Sequence, residues 1–241
     1  QVTGFLKHMD RSLGGTLSAF EVMWHDYFDL VTTPPAANKP PVEKKYPYYA
    51  LVESMGAING KDGFEAAMAA ALEQNWICDA AVAQSGNDRA GMWAIRDSVE
   101  EFFRYGPAQL FDVSIALRHI GTYVDQVKAL LDENFEEHHC FTLGHVGDGN
   151  VHFAINIPEQ TAQSHALVER CVYDPLEPYE GSVSAEHGIG LEKKQYLSTS
   201  RSDTEVALMR KLKQSLDPNG ILNPGKIFDY DGQVVPAGPK Q

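Results

Sequence analysis

The chain is expected to fold as an α+β protein: a ferredoxin-like antiparallel sheet with helices on one face, followed by a C-terminal helical segment. Three observations predict it. Stretches of period-two hydrophobicity alternate with stretches of helical periodicity. Many of the connections are hairpin-like rather than long crossovers. No G-x-G-x-x-G loop follows a strand, which argues against a doubly wound nucleotide fold; Gly188-Ile189-Gly190 is only a fragment of one.

In chain order, residues 1–13 read as the end of a helix, with Phe5, Met9 and Leu13 four apart and Gly14-Gly15 as the stop. Thr16 to Met23 alternates as a strand, with Leu17, Ala19 and Glu21 on one side, and aromatic-rich Trp24 to Val31 suggests a short helix. Prolines and lysines make Thr33 to Tyr46 a surface loop. Tyr48 to Met55 reads as a strand, Lys61 to Gln74 as an alanine-rich helix, Ile77 to Gln84 as a short strand and Ala90 to Arg104 as a helix. Phe111 to Leu117 is a further strand, and His119 to Phe135 a helix with its apolar residues at helical spacing. His139–His145 and Val151–Ile157 form a hairpin around a turn at 146–150. Glu159 to Val172 is predicted helical, and Ser202-Asp203-Thr204-Glu205 is a capping box opening a helix that runs to Leu216. Residues 229–241 read as a polar tail.

The 241 residues suffice for one large domain or two small ones. Apolar residues make up 43% and charged residues 22%, as in a soluble globular protein. Twenty Lys and Arg against 33 Asp and Glu give a net charge of −13. That argues against a nucleic-acid surface, and it means that any site for an acid must be locally positive. No apolar run could span a membrane and no signal peptide is visible. Cys78, Cys140 and Cys171 are odd in number and form no C-x-x-C, which points to a reducing compartment, read as the cytoplasm. Because the chain starts at Gln1 without Met, a fragment or processed form is expected.

The chemistry concentrates in two stretches. LGHVGDGNVHFAINI, Leu143 to Ile157, carries His145 and His152 across the turn; GSVSAEHGIG, Gly181 to Gly190, sets Glu186 beside His187. On the second hairpin strand Val151, Phe153, Ile155 and Ile157 share the core side, so His152 faces the other way with Ala154 and Asn156. Two imidazoles and a carboxylate are a ligand set for a divalent metal with open positions; zinc is the first choice from ligand type, with manganese or iron as alternatives. The plain alternative for either histidine is a hydrogen bond within the turn. His187 would point away from Glu186 in an extended loop and is better placed as a general base. Asp148 and Asn150 have a local turn role, Asn150 being also able to reach a ligand. Arg96 could grip a carboxylate or pair with Asp97 or Glu100 on the surface. His138-His139 reads as a solvated helix end, and Lys193-Lys194 as a helix face.

Three motifs together resemble one family. LGHVGDGNVHFAI at 143–155, GSVSAEHGIGLEKKQYL at 181–197 and LKQSLDPNGILNPGKIF at 212–228 are similar to the signatures of the FAD-linked oxidases related to D-lactate dehydrogenase, glycolate oxidase and D-2-hydroxyglutarate dehydrogenase. The resemblance runs from about Leu17 to Phe228. It implies a substrate (cap) domain over residues 1–200, and a C-terminal helical segment over 201–228 that packs on a flavin-binding domain absent from this chain. It implies His145, His152 and Glu186 as metal ligands, His187 as the base, Arg96 and Asn150 as substrate contacts and Asn223 as a cofactor contact. The implied partners are FAD, a divalent metal, a small 2-hydroxy acid, the FAD-binding domain and an unspecified electron acceptor. Two departures matter: Leu110 stands where 2-hydroxyglutarate enzymes carry a lysine for the distal carboxylate, and Ala154 replaces an asparagine. A monocarboxylic or bulkier hydroxy acid is therefore expected. The rival readings are a stand-alone metal hydrolase and a non-catalytic binding domain; the absence of H-E-x-x-H counts against the first.

Overall fold

A computed structural model describes residues 1–56 and 60–229. Helix α1 (Val2–Leu13) ends at Gly14 in the left-handed conformation. It is followed by β1 (Leu17–Trp24), α2 (His25–Thr32), β2 (Tyr48–Ser54), α3 (Gly60–Glu73) and α4 (Gly86–Asp97). Then come β3 (Ala108–Ser114), α5 (Ile120–Asn134), β4 (His139–His145), β5 (Asn150–Asn156), α6 (Ala162–Tyr173), the short α7 (Leu197–Ser200) and α8 (Asp203–Leu216). The five strands form one antiparallel sheet in the order β2-β1-β4-β5-β3. Both β3 and β4 flank β5, and α5 connects them. This is a split β-α-β unit, which gives the α+β fold its ferredoxin-like character.

Alternation along each strand sorts the side chains between two cores. Phe20 and Val22 of β1, Phe111 and Val113 of β3, and Val151, Phe153 and Ile155 of β5 pack with α1, α3, α5 and α6. This is the layer the sequence pattern anticipates. A smaller second layer covers the opposite face: Met23, Leu143, Phe141 and Ala154 pack against Tyr27 and Phe28 of α2, Ile95 of α4 and Phe102. Strands β1, β4 and β5 are therefore buried on both sides for much of their length, and the candidate site opens where the second layer stops.

Ile77 to Gln84, expected as a strand, forms no ladder. Two of its backbone N–H groups are taken by aspartates instead, Ala80 donating to Asp79 Oδ1 at 2.8 Å and Gln84 to Asp88 Oδ2 at 3.1 Å. The segment borders a cavity of about 750 Å³ along β2. Strand β3 lies three residues earlier than expected, because at its end the Ile115 N–H turns to the Gly149 carbonyl (2.9 Å). The helix expected at Ala90–Arg104 is two elements: α4, capped by Ser85 accepting from the Asp88 N–H, and a 3₁₀ turn at Val99–Tyr105. Helix α6 begins at Ala162 because Thr161 and Ser164 form the capping box. The box at Ser202 and Glu205 opens α8 as expected. Of the expected polar tail, residues 230–241 lie outside the described residues.

Candidate functional site

The site begins where β4 turns into β5. Leu143 pairs with His152, and a 3₁₀ turn at Val146–Asp148 closes the connection. Two glycines make this closeness possible. A Cβ on Gly144 would lie 2.3 Å from the Asn150 carbonyl oxygen. Gly149 has φ +84°, and a Cβ there would meet the Ile115 carbonyl at 2.4 Å. Asp148 has the local role expected, its Oδ1 accepting from the Asn150 N–H (3.1 Å). Beyond the turn His152 stands on the sheet face of Ala154, with its ring centroid 5.3 Å from that of His145. Burial holds the pKa of His152 down at about 4, with neighbouring His145 adding to the effect, so His152 is a neutral imidazole with a free lone pair.

His145 is held from β1, where Glu21 is its register partner. Glu21 Oε1 lies 2.7 Å from His145 Nδ1, and Arg96 Nε donates to Oε2 at 3.0 Å. Burial alone would raise the pKa of Glu21, but the hydrogen bond and charge of His145 and the guanidinium of Arg96 hold it below the ordinary carboxylate value. The same hydrogen bond raises the pKa of His145. With Nδ1–H donated to Glu21, the Nε2 lone pair of His145 faces the cluster, 3.3 Å from Glu186 Oε1 and 3.1 Å from Arg96 Nη2. A carboxylate on the far nitrogen both orients an imidazole and strengthens it as a ligand.

The Glu186-His187 loop is fastened to β3 by Asp112, which is fully buried and lies opposite His152 in the register. Asp112 Oδ2 accepts from the backbone N–H groups of Ala185 (2.9 Å), Glu186 (2.6 Å) and His187 (2.9 Å) and from Ser184 Oγ (3.0 Å). Its Oδ1 pairs with the buried ammonium of Lys193 and lies 3.3 Å from His187 Nδ1. Burial pushes the pKa of Asp112 up, but Lys193 and the loop amides outweigh it and leave the group at about 2. Lys193 is therefore not on a solvated helix face: only 6% exposed, it neutralises the anchor. His139 is likewise no helix end, being the first residue of β4 and stacked on Tyr105.

The structure thus brings together the three expected ligand residues. His145, His152 and Glu186 each offer a ligand atom, all within 4.8 Å of one another. Two imidazoles and one carboxylate suit a borderline divalent ion, which would displace Arg96 Nη2 from His145 Nε2. Asn150 is nearly fully buried and donates to Glu186 Oε1 at 2.7 Å, while its own Oδ1 has no protein partner. Beside it a polar cleft of about 380 Å³ is lined by Ser114, Asp148, Ser182, Ser184, Glu186 and Arg201. The His187 ring is 6.2 Å from that of His152, and the residue is more than half exposed. Arg96 joins the site through Glu21 and also contacts Asp97 at 3.3 Å. Asn223 is not in the cluster. It is exposed at φ +46° in the turn after α8, a turn tied to the loop by the Ile227 N–H donating to the Gly190 carbonyl (2.9 Å). Glu21, Asp112 and Lys193 are the site residues that sequence reasoning missed. Glu21 was an isolated charge in an apolar alternation, the one signal that could have marked it.

Comparison with known proteins follows the same lines. The model of the family "FAD linked oxidases, C-terminal domain" matches residues 2–227. A D-2-hydroxyglutarate dehydrogenase of Xanthomonas citri pv. viticola is 37% identical over 210 residues, covering 82% of this chain and 44% of the relative. A mitochondrial D-2-hydroxyglutarate dehydrogenase of Arabidopsis thaliana is 33% identical over 223 residues, covering 91% of this chain and 39% of the relative. A putative mitochondrial D-lactate dehydrogenase of Schizosaccharomyces pombe is 33% identical over 223 residues, covering 87% and 42%. The chain therefore spans about two fifths of the length of these relatives. With the family model matched almost from end to end, the chain belongs to the C-terminal domain family of the FAD-linked oxidases.

Proposed function

We propose that this chain is the substrate- and metal-binding part of an FAD-dependent 2-hydroxy-acid dehydrogenase. The observation that carries the reading is the convergence of His145, His152 and Glu186 with Arg96 and His187 at the open end of β4 and β5. A divalent cation on the three ligands, with zinc first, would supply the positive charge that a net-acidic protein needs to hold a carboxylate and a neighbouring hydroxyl. The residues of the chain do the rest. Arg96 presents a guanidinium fixed at Nε by Glu21, and its two terminal nitrogens, now beside His145 and Asp97, would turn to the substrate carboxylate. His187, with Nδ1 turned to Asp112, has Nε2 free to take the hydroxyl proton. Asn150 steadies Glu186 and offers its unpartnered Oδ1 to a substrate hydroxyl. FAD held by the flavin-binding domain would supply the acceptor, at N5, for the hydride of the substrate carbon.

The flavin-binding domain would cover 201–228. Leu208, Leu212 and Leu216 lie four apart on α8, all more than half exposed, and Ile221 and Leu222 extend the apolar surface toward Asn223, the proposed cofactor contact. A stand-alone hydrolase would need a free carboxylate beside the metal to activate water. The two carboxylates behind the histidines, Glu21 and Asp112, are both committed to holding imidazoles and cations. Elemental analysis of the purified chain tests the reading. It should contain about one divalent ion per chain, and His152→Ala should lose it. Unchanged stoichiometry in that variant would remove His152 from the ligand set. The isolated chain should bind a hydroxy acid without oxidising it, and robust oxidation without an added flavin domain would refute the division of labour.

A monocarboxylic or bulkier hydroxy acid is the proposed substrate. On the sheet face of His152, beyond Ala154 in the second core, stands half-exposed Leu110, an apolar side chain that offers no charge to a second acid group. Leu110→Lys should shift kcat/KM toward dicarboxylic hydroxy acids by about tenfold or more, the worth of one charge-assisted hydrogen bond; an unchanged ratio would mean that Leu110 does not face the substrate. A cytoplasmic location is proposed from the three free cysteines. Two of the relatives are named mitochondrial, and cell fractionation distinguishes the two compartments. Among the described residues no helix is long and apolar enough to cross a membrane.

A further inference from the structure

The guanidinium of Arg96 sits at the end of α4, and the way this helix is fastened to the sheet extends beyond the site. Arg89, Trp93 and Arg96 are spaced i, i+4, i+7, so they lie along one face of the helix. Each points at a carboxylate on the sheet. Arg96 meets Glu21 on β1, whereas Arg89 and Trp93 converge on Glu53 of β2. The two acids stand on the same sheet face of neighbouring strands, since Glu21 pairs with Leu51 and Glu53 is two residues farther along.

Glu53 is well enclosed, its side chain 19% exposed. Its Oε2 accepts from Arg89 Nε at 2.7 Å and from Trp93 Nε1 at 2.8 Å, with Arg89 Nη2 at 2.6 Å. An indole N–H aimed at a carboxylate that also takes a two-nitrogen guanidinium contact leaves the helix little freedom to slide or roll. At the other end, the fully buried Tyr27 donates its hydroxyl to the Arg96 carbonyl at 2.7 Å and lies 3.2 Å from that of Ile95. These are last-turn carbonyls with no partner within the helix.

We infer that Glu53 is a positioning residue for substrate binding: through Arg89 and Trp93 it sets the height and roll of α4, and so the reach of Arg96 to the substrate carboxylate. The inference rests on the proposed role of Arg96. The side-chain contacts of Glu53 are with Arg89 and Trp93, not with His145, His152 or Glu186. Its removal lets the helix shift by a fraction of a turn, which misplaces the guanidinium and leaves the ligand set intact.

A double-mutant cycle on the protein assembled with its flavin domain tests this, using D-lactate as the probe substrate, with KM, kcat and metal content as readouts. Arg96→Ala must raise KM strongly; if it does not, the role of Arg96 fails, whatever Glu53 does. Given that it does, Glu53→Ala should raise KM about five- to tenfold in the Arg96 background and less than about twofold in the Arg96→Ala background. Metal content should be unchanged, and Glu53→Gln, which keeps an acceptor for Trp93, should recover much of the loss. The same factor in both backgrounds, or a fall in melting temperature with KM unmoved, would overturn the inference and leave Glu53 a structural ion pair.

Discussion

Replacing Asp112 with Asn is expected to destabilise the protein by about 3–5 kcal/mol and to remove the loop carrying Glu186 and His187 from its place. Two separate losses coincide. Lys193 keeps a buried charge without a counter-charge, and this supplies most of the stability effect. The amides of Ala185, Glu186 and His187 lose the oxygen on which they converge, and this supplies the functional effect. For a chain of this size a loss of that order lowers the melting temperature by roughly 10 °C. A second substitution separates the two. Lys193→Met in the Asp112→Asn background should restore much of the melting temperature, because no buried charge remains unpaired. Metal affinity should stay about 10–100-fold reduced, as for loss of a group that orients a ligand. Recovery of full metal affinity in the double variant would show that the loop holds its shape without the carboxylate.

His187→Asn should lower kcat by about 10²–10⁴-fold in the assembled enzyme, the usual worth of a positioned general base, with metal content and melting temperature close to those of the parent. His187 is more than half exposed and held mainly through its backbone N–H, so the fold does not depend on its ring. KM should change little, because the proposed binding contacts are Arg96 and the metal ligands and not His187. A kcat within about threefold of the parent would assign the proton transfer to another group. Metal loss in this variant would instead make His187 a ligand.

Much of the fold was legible because it is written in short-range patterns. The hairpin, α5 and the Ser202 capping box follow from alternation, helical spacing and cap chemistry, all of which act within a few residues. The second layer was less so. Phe28 and Ile95 carry no sign of the sheet face they will cover, because that depends on how α2 and α4 are brought back over β1 and β4. The same distinction runs through the site. His145, His152, Glu186 and His187 stand in glycine-flanked motifs that announce themselves. Glu21, Asp112 and Lys193 are single charged residues 124, 75 and 81 positions from His145, His187 and Asp112, their respective partners. The sheet register joins Glu21 to His145, and Asp112 meets His187 and Lys193 where the loop after α6 returns to β3. The edge segment at Ile77–Gln84 failed for a local reason, since Asp79 and Asp88 compete for the backbone donors that a strand would need.

The two cores have a consequence for how finely the site is aimed. A strand buried on one face can slip by one residue at the cost of exposing that face; a strand buried on both has nowhere to go. A slip in β1 would turn Glu21 into the larger core and bring Val22 out under Arg96, and a slip in β3 would do the same to Asp112 and Val113. The carboxylates that steer the two histidines are thereby locked by hydrophobic packing far from any substrate. Tolerances at the imidazoles are set by the interlocking of the whole sheet, and the loops can vary their chemistry on a frame that does not shift beneath them.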